Sequence, residues 1–119
     1  MHRKARRSHP PQSARSLLHQ ISQVVHNPDR ERFELWVAGD LVGVLSYRID
    51  EEPQGRVVTI LHTVLYDEYS GHGLATKLTG GTMQYMRENG LKVRPLCTFT
   101  RHFLNAHPGM VATAPPVSV

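Results

Sequence analysis

The chain has 119 residues, 39% hydrophobic and 20% charged, with one cysteine and a formal charge of +4. That suffices for one ordinary domain with its own core and leaves little room for a second. The lone cysteine excludes an internal disulfide framework, and no apolar run approaches the ~20 residues that span a bilayer, so a reducing, cytoplasmic setting away from any membrane is expected.

The positive charge is concentrated at the start. Arg3, Lys4, Arg6, Arg7 and Arg15 all precede Asp29, the first acidic residue. Residues 1–16 mix Arg, Ser and His with Pro10-Pro11 and read as a basic flexible tail. The functional alternative is an arm that touches nucleic acid, but no aromatic residue is interleaved there for base stacking, so the solvated tail is preferred. An Arg-rich, acid-free start also suits an organelle transit segment, a third reading. Only Leu17 and Leu18 follow, and two leucines do not make the apolar region of a signal peptide.

Continuous patterning fills residues 17–108. Ile21 to His26 is a β-leaning run closed by Asn27-Pro28, a turn signal. Phe33, Leu35 and Val37 alternate with Glu34 and Trp36, the period of a strand. Gly39-Asp40 supplies a tight turn into a second strand, Leu41 to Ile49. The polar stretch Glu51 to Gly55 reads as a loop, and Arg56 to Leu65, rich in Val, Ile and Leu, as a central strand. Three hairpin-connected strands make an antiparallel meander.

At Ser70 the period changes. Leu74, Leu78, Met83 and Met86 share a helical face interrupted by Gly80-Gly81, a place to bend or to pack closely, and Asn89-Gly90 closes the helix. Leu91 to Cys97 is a short strand. Thr98 caps a last helix ending near Ala106, before Pro108. Strand, helix, strand in so short a chain implies a crossover onto a parallel neighbour. Residues 109–119, with Pro115-Pro116, read as a second flexible tail. The expected fold is therefore α/β, of the α+β kind, with a mixed sheet.

The segment Ser70-Gly71-His72-Gly73-Leu74-Ala75-Thr76-Lys77-Leu78 follows the central strand and opens the long helix. Glycines at 71 and 73 remove side chains where backbone N–H groups could approach a ligand. The free amides and dipole of a first helical turn suit a pyrophosphate. A P-loop needs Gly-Lys after four intervening residues, which is absent. A dinucleotide fingerprint needs a third glycine where Thr76 stands and a longer parallel sheet. What remains is an acyl-coenzyme A pyrophosphate loop after a meander, or glycines in an ordinary strand-to-helix turn.

The ordered set of motifs resembles the GNAT superfamily of N-acetyltransferases, and within it the small YjdJ-like branch. The matching pieces are Arg32-Phe33-Glu34-Leu35, Gly39, Tyr47, His62-Thr63, Gly71-His72-Gly73-Leu74-Ala75, Gly90-Leu91-Lys92-Val93, Pro95-Leu96-Cys97-Thr98-Phe99, Phe103-Leu104 and His107-Pro108, spanning about Val24 to Pro108. The resemblance implies a splayed sheet that binds acetyl-CoA in the gap between the strand ending near Leu65 and the one ending at Cys97. It implies a pantetheine arm along Thr63 to Leu65 and beside Phe99, and a pyrophosphate on the amides of Gly71, His72, Gly73, Leu74 and Ala75. Two positions depart from the branch: Val64 stands where a glutamate often follows His-Thr, and Gly109 where an acidic residue tends to follow His-Pro.

Acetyl transfer needs an acceptor amine to lose a proton, and His62 is a candidate base, directly or through a water. The alternative for His62 is a half-buried strand residue with a structural hydrogen bond. Cys97, placed by the resemblance at the acetyl end, is a candidate to accept the acetyl group or to protonate the leaving sulfur; a packed thiol is the alternative. Cys97, His102 and His107 are spaced five apart, which does not align ligands on one helix face, so no metal is expected. The function expected is acetyl transfer from acetyl-CoA to a small-molecule or protein amine, with a non-catalytic acyl-CoA-binding module as the rival.

Overall fold

Alternating side chains build the first half of the molecule. In the computed structural model, which describes residues 13–116, four strands pair antiparallel in chain order: Ser22–Asn27 (β1), Arg32–Val37 (β2), Asp40–Glu52 (β3) and Gly55–Leu65 (β4). The β1–β2 turn is set by Asn27, whose side chain accepts from the Arg30 amide. Ala38 and Gly39 both take positive φ, 48° and 88°, the turn that best matches strand twist in a two-residue hairpin. β3 runs three residues beyond Ile49 to Glu52, so the expected loop shrinks to Pro53-Gln54.

The second half is a helical crossover. Leu74–Glu88 (α2) leads to Lys92–Pro95 (β5), which lies parallel to β4 and completes a five-stranded sheet in the order β1-β2-β3-β4-β5. α2 buries Leu74, Leu78, Met83 and Met86 against Phe33, Leu35, Leu45, Tyr47, Val58 and Ile60 of the sheet. Gly80-Gly81 does not break it. A Cβ on Gly81 would lie 3.2 Å from both γ-carbons of Val24, so the missing side chain lets the helix sit close on β1. The helix ends with Gly90 at φ 63° and the Leu91 amide bonded to the Met86 carbonyl at 2.9 Å, a Schellman stop. Thr98–Ala106 (α3) follows, with Cys97 at its N-cap rather than Thr98.

Both ends differ from expectation. Ala14–Gln20 forms a helix (α1), its start fixed by the Ser13 hydroxyl accepting from the Ser16 amide at 3.1 Å, so the tail boundary at Ser16 falls inside a helix. Arg3, Lys4, Arg6 and Arg7, and with them the nucleic-acid and targeting readings, lie outside the described residues. No residue of α1 is fully buried; Leu18 packs on the core, and Lys77 Nζ holds the helix end by donating to the His19 carbonyl (2.7 Å), the Ser22 carbonyl (2.9 Å) and the Ser22 hydroxyl (2.7 Å). Beyond Gly109 the chain returns to the sheet. The Val93 amide donates to Ala112 at 2.9 Å, the Ala114 amide to Val93 at 2.8 Å, and Arg94 Nε to Pro115 at 2.9 Å. Among the described residues, no helix is long and apolar enough to cross a membrane.

Candidate functional site

A single extra residue opens the sheet. Ser46 pairs with His62 but Tyr47 pairs with Ile60, so Leu61 is a bulge in β4. Up to that point β4 has a neighbour on each side, with Val57 to Ile60 opposite Lys92 to Pro95 of β5. There β5 leaves. The amides of Leu96 and Cys97 both donate to the Ile60 carbonyl at 3.0 Å, and the chain turns into α3. β4 runs on to Leu65 with β3 on one side and, among the described residues, no backbone partner on the other.

The bulge also decides which side chains face which way. Thr63 Oγ1 lies 3.7 Å from Cys97 Sγ, and Leu65 packs on the core. Because neighbouring strand residues point to opposite faces, His62 and Val64 project the other way, and both are exposed, Val64 at 57%. The two residues proposed as catalytic are thus not brought together: Cys97 meets Thr63, while His62 stands on the opposite face. His62 makes no side-chain hydrogen bond among the described residues, so the structural bond offered as its alternative is absent there.

Cys97 is buried at the N-cap of α3. Burial pushes its thiol pKa up. The Thr100 amide, the Thr63 and Thr100 hydroxyls and the Phe99 amide together outweigh burial, and the net displacement is downward from 9.0. The sulfur makes no complete capping bond, so this is attraction toward a helix start rather than one directed contact. Thr100 Oγ1 is buried with no conventional hydrogen-bond partner, which leaves it available to the sulfur. Phe99, 38% exposed, lies on the first turn of the same helix. A separate cavity of about 820 Å³ lies between β5, α3 and the C-terminal segment; its walls include Leu96 and Arg101 but neither Cys97 nor the glycine loop.

That loop joins the open end of β4 to α2. Gly71 and Gly73 take φ of 79° and 76°, and Gly73 is the N-cap of α2 with no side chain to satisfy the first amides. No acidic residue lies in the first turn of α2. Leu74 is buried and turned to the core, while Ala75 is half-buried. The His72 carbonyl accepts from His19 Nε2 at 2.8 Å, which ties α1 to the loop. Arg15 reaches over the same place: a Cβ built on Gly73 would lie 2.5 Å from its Nη2. Sequence reasoning missed Arg15, His19 and Lys77. The spacing of Arg15 and His19, four residues apart on one helix face, was the available signal.

A profile of the GCN5-related N-acetyltransferase family matches residues 32–113. The chain belongs to that family of acetyltransferases. Among solved structures it is similar to a GCN5-like protein from Staphylococcus aureus, with 22% identity, TM-score 0.57, 86% of this chain and 93% of that one covered. It is also similar to a ribosomal-protein-alanine N-acetyltransferase from Brucella melitensis biovar Abortus 2308, with 21% identity, TM-score 0.54, 74% of this chain and 65% of that one. A third is an aminoglycoside acetyltransferase from an uncultured soil sample, solved with sisomicin, with 17% identity, TM-score 0.54, 74% of this chain and 60% of that one. The chain thus spans less than two thirds of the length of these last two, and at such identities the likeness establishes the fold alone. No curated protein matches the sequence.

Proposed function

We propose that the chain moves an acetyl group from acetyl-CoA to an amine, using the open edge of β4 and the start of α2 as the binding surface. The observation that carries this reading is the edge of Leu61 to Leu65, unpartnered among the described residues and joined to the glycine loop by one short 3-10 turn, Asp67–Tyr69. Unpaired backbone groups at a sheet edge suit an extended ligand with amides of its own, as the pantetheine arm has. Thr63 and Leu65 would flank that arm, with Phe99 at its side. The amides from Gly71 to Ala75 suit the pyrophosphate.

Acetyl-CoA supplies the activated thioester. In the reaction an N–C bond forms, the C–S bond breaks, the amine gives up a proton and the departing sulfur gains one. Cys97 Sγ is suited to the second proton transfer: a thiol with a depressed pKa is the stronger acid, and Thr63 fixes its position. The same property suits it to carry the acetyl group transiently, and acid quench with mass analysis of the wild type in a single turnover separates the two roles, since only the carrier leaves an acetyl on Cys97. His62, on the opposite face, would assist an amine arriving from that side, directly or through a water.

One observation favours the rival, a non-catalytic acyl-CoA-binding module: the exposed position beside His62 that would bear a carboxylate base holds Val64. Calorimetry with acetyl-CoA, followed by release of free CoA across a panel of amines, tests both. Binding with release is expected; binding without release under every acceptor would select the rival. Gly73→Glu sets a carboxylate at a φ of 76° next to Arg15, so loss of acetyl-CoA binding is expected. Retained affinity would remove the loop from the site.

A further inference from the structure

The glycine loop has a shortage of positive charge. Between Tyr66 and Thr76 the sequence holds Asp67 and Glu68 and no lysine or arginine. The next cation, Lys77, directs its ammonium at three oxygens of the α1–β1 junction. A ligand with a doubly charged pyrophosphate would therefore meet bare amides and no counter-charge from the loop itself.

α1 supplies one. Arg15 and His19, one helical turn apart, face the loop together. His19 bonds the His72 carbonyl, Lys77 holds the His19 carbonyl, and these two anchors set Arg15 with its guanidinium over Gly73. Among the described residues no carboxylate pairs with Arg15, although other arginines of the fold do find one, such as Arg94 with Glu52 and Arg48 with Asp50. We propose that α1 is part of the ligand site and that Arg15 is the residue that neutralises the coenzyme's pyrophosphate above the start of α2. The inference rests on the acetyl-CoA reading above and adds a residue from outside the crossover unit. Guanidinium suits the task because its planar fork can donate to two phosphate oxygens while the loop amides bind the others.

The test compares acetyl-CoA with S-acetylpantetheine, which has the same arm and no phosphate. Full-length wild type, Arg15→Ala and Arg15→Lys are titrated with both, by calorimetry for the first ligand and chemical-shift titration for the weaker second. The expected result is a ~10-fold loss of acetyl-CoA affinity in Arg15→Ala, partial recovery in Arg15→Lys and no change for S-acetylpantetheine. A parallel loss for both ligands would make Arg15 merely structural and overturn the inference. Unchanged affinity for acetyl-CoA would overturn it while leaving the functional reading in place. Tighter binding by Arg15→Ala would recast the side chain as a plug and overturn it equally. If the wild type binds no acetyl-CoA, both fall together.

Discussion

The two halves of β4 behave as different structures. Val57 to Ile60 lies between β3 and β5 and is buried throughout, with exposures of 4%, 2%, 0% and 0%. Beyond the Leu61 bulge, His62 to Leu65 pairs, among the described residues, on one side only, and His62 and Val64 stand in solvent. The residue types scarcely differ along the strand. A one-residue bulge and the departure of β5 turn a core strand into an open edge, five residues before the strand ends. On the proposed reading, stability and ligand binding fall to successive segments of one strand, and each can be tested without disturbing the other.

The largest effect belongs to the buried half. Ile60→Ala should cost ~2–5 kcal/mol, read by chemical denaturation, because Ile60 is fully covered and a cavity would remain. Cys97→Ala, beside the open half, should lower turnover ~100-fold while leaving the denaturation midpoint and acetyl-CoA affinity close to wild type. An unchanged rate would assign the thiol to packing. Thr63→Val should act more mildly on the same group. The midpoint for Cys97 alkylation, expected below 9.0 in the wild type, should move up when the hydroxyl is lost.

Acidification probes the meander away from the open edge. His26 stacks on Phe33 and bonds the Tyr47 hydroxyl at 2.7 Å, and burial holds its pKa below 6.5. The unfolded chain therefore takes up that proton first, and stability should begin to decline as pH falls below about 6.5. Glu34 is pushed up by burial but pulled further down by bonds from Asn27, Arg32 and Trp36. Its contribution is present above 4.5 and lost as pH falls through the lower folded value, giving a second decline. His26→Gln should flatten the first and spare the second. The smallest effect closes the comparison: Val64→Ala should change stability by no more than ~0.5 kcal/mol, since the side chain is mostly in solvent.

The meander was legible because its period-2 alternation and turn residues agree, and the long helix because Leu74, Leu78, Met83 and Met86 share one face. The place of the glycine loop between a strand and a helix could be read because the apolar period changes there; what it binds is part of the proposal. The orientation of His62 could not be read. A bulge reverses the alternation without leaving a mark in composition, and only the pairing of Ser46 with His62 and Tyr47 with Ile60 exposes it. α1 escaped notice because only Leu18 packs on the core and the helix end depends on Lys77, 58 positions after His19. The prolines after Gly109 suggest a loose segment. Residues 112–115 are instead held by pairing with Val93 and by Arg94 reaching Pro115, contacts that no local pattern reveals.

That last segment bears on how the molecule keeps to itself. Ala112 to Ala114 covers the outer side of Val93, which would otherwise present a raw strand border to passing chains. Shortening the protein at Gly109 would leave the proposed chemistry intact on paper, yet uncover that border and free Arg94 Nε from its carbonyl. The loss would register first as clumping at high concentration, before any change in the reaction rate.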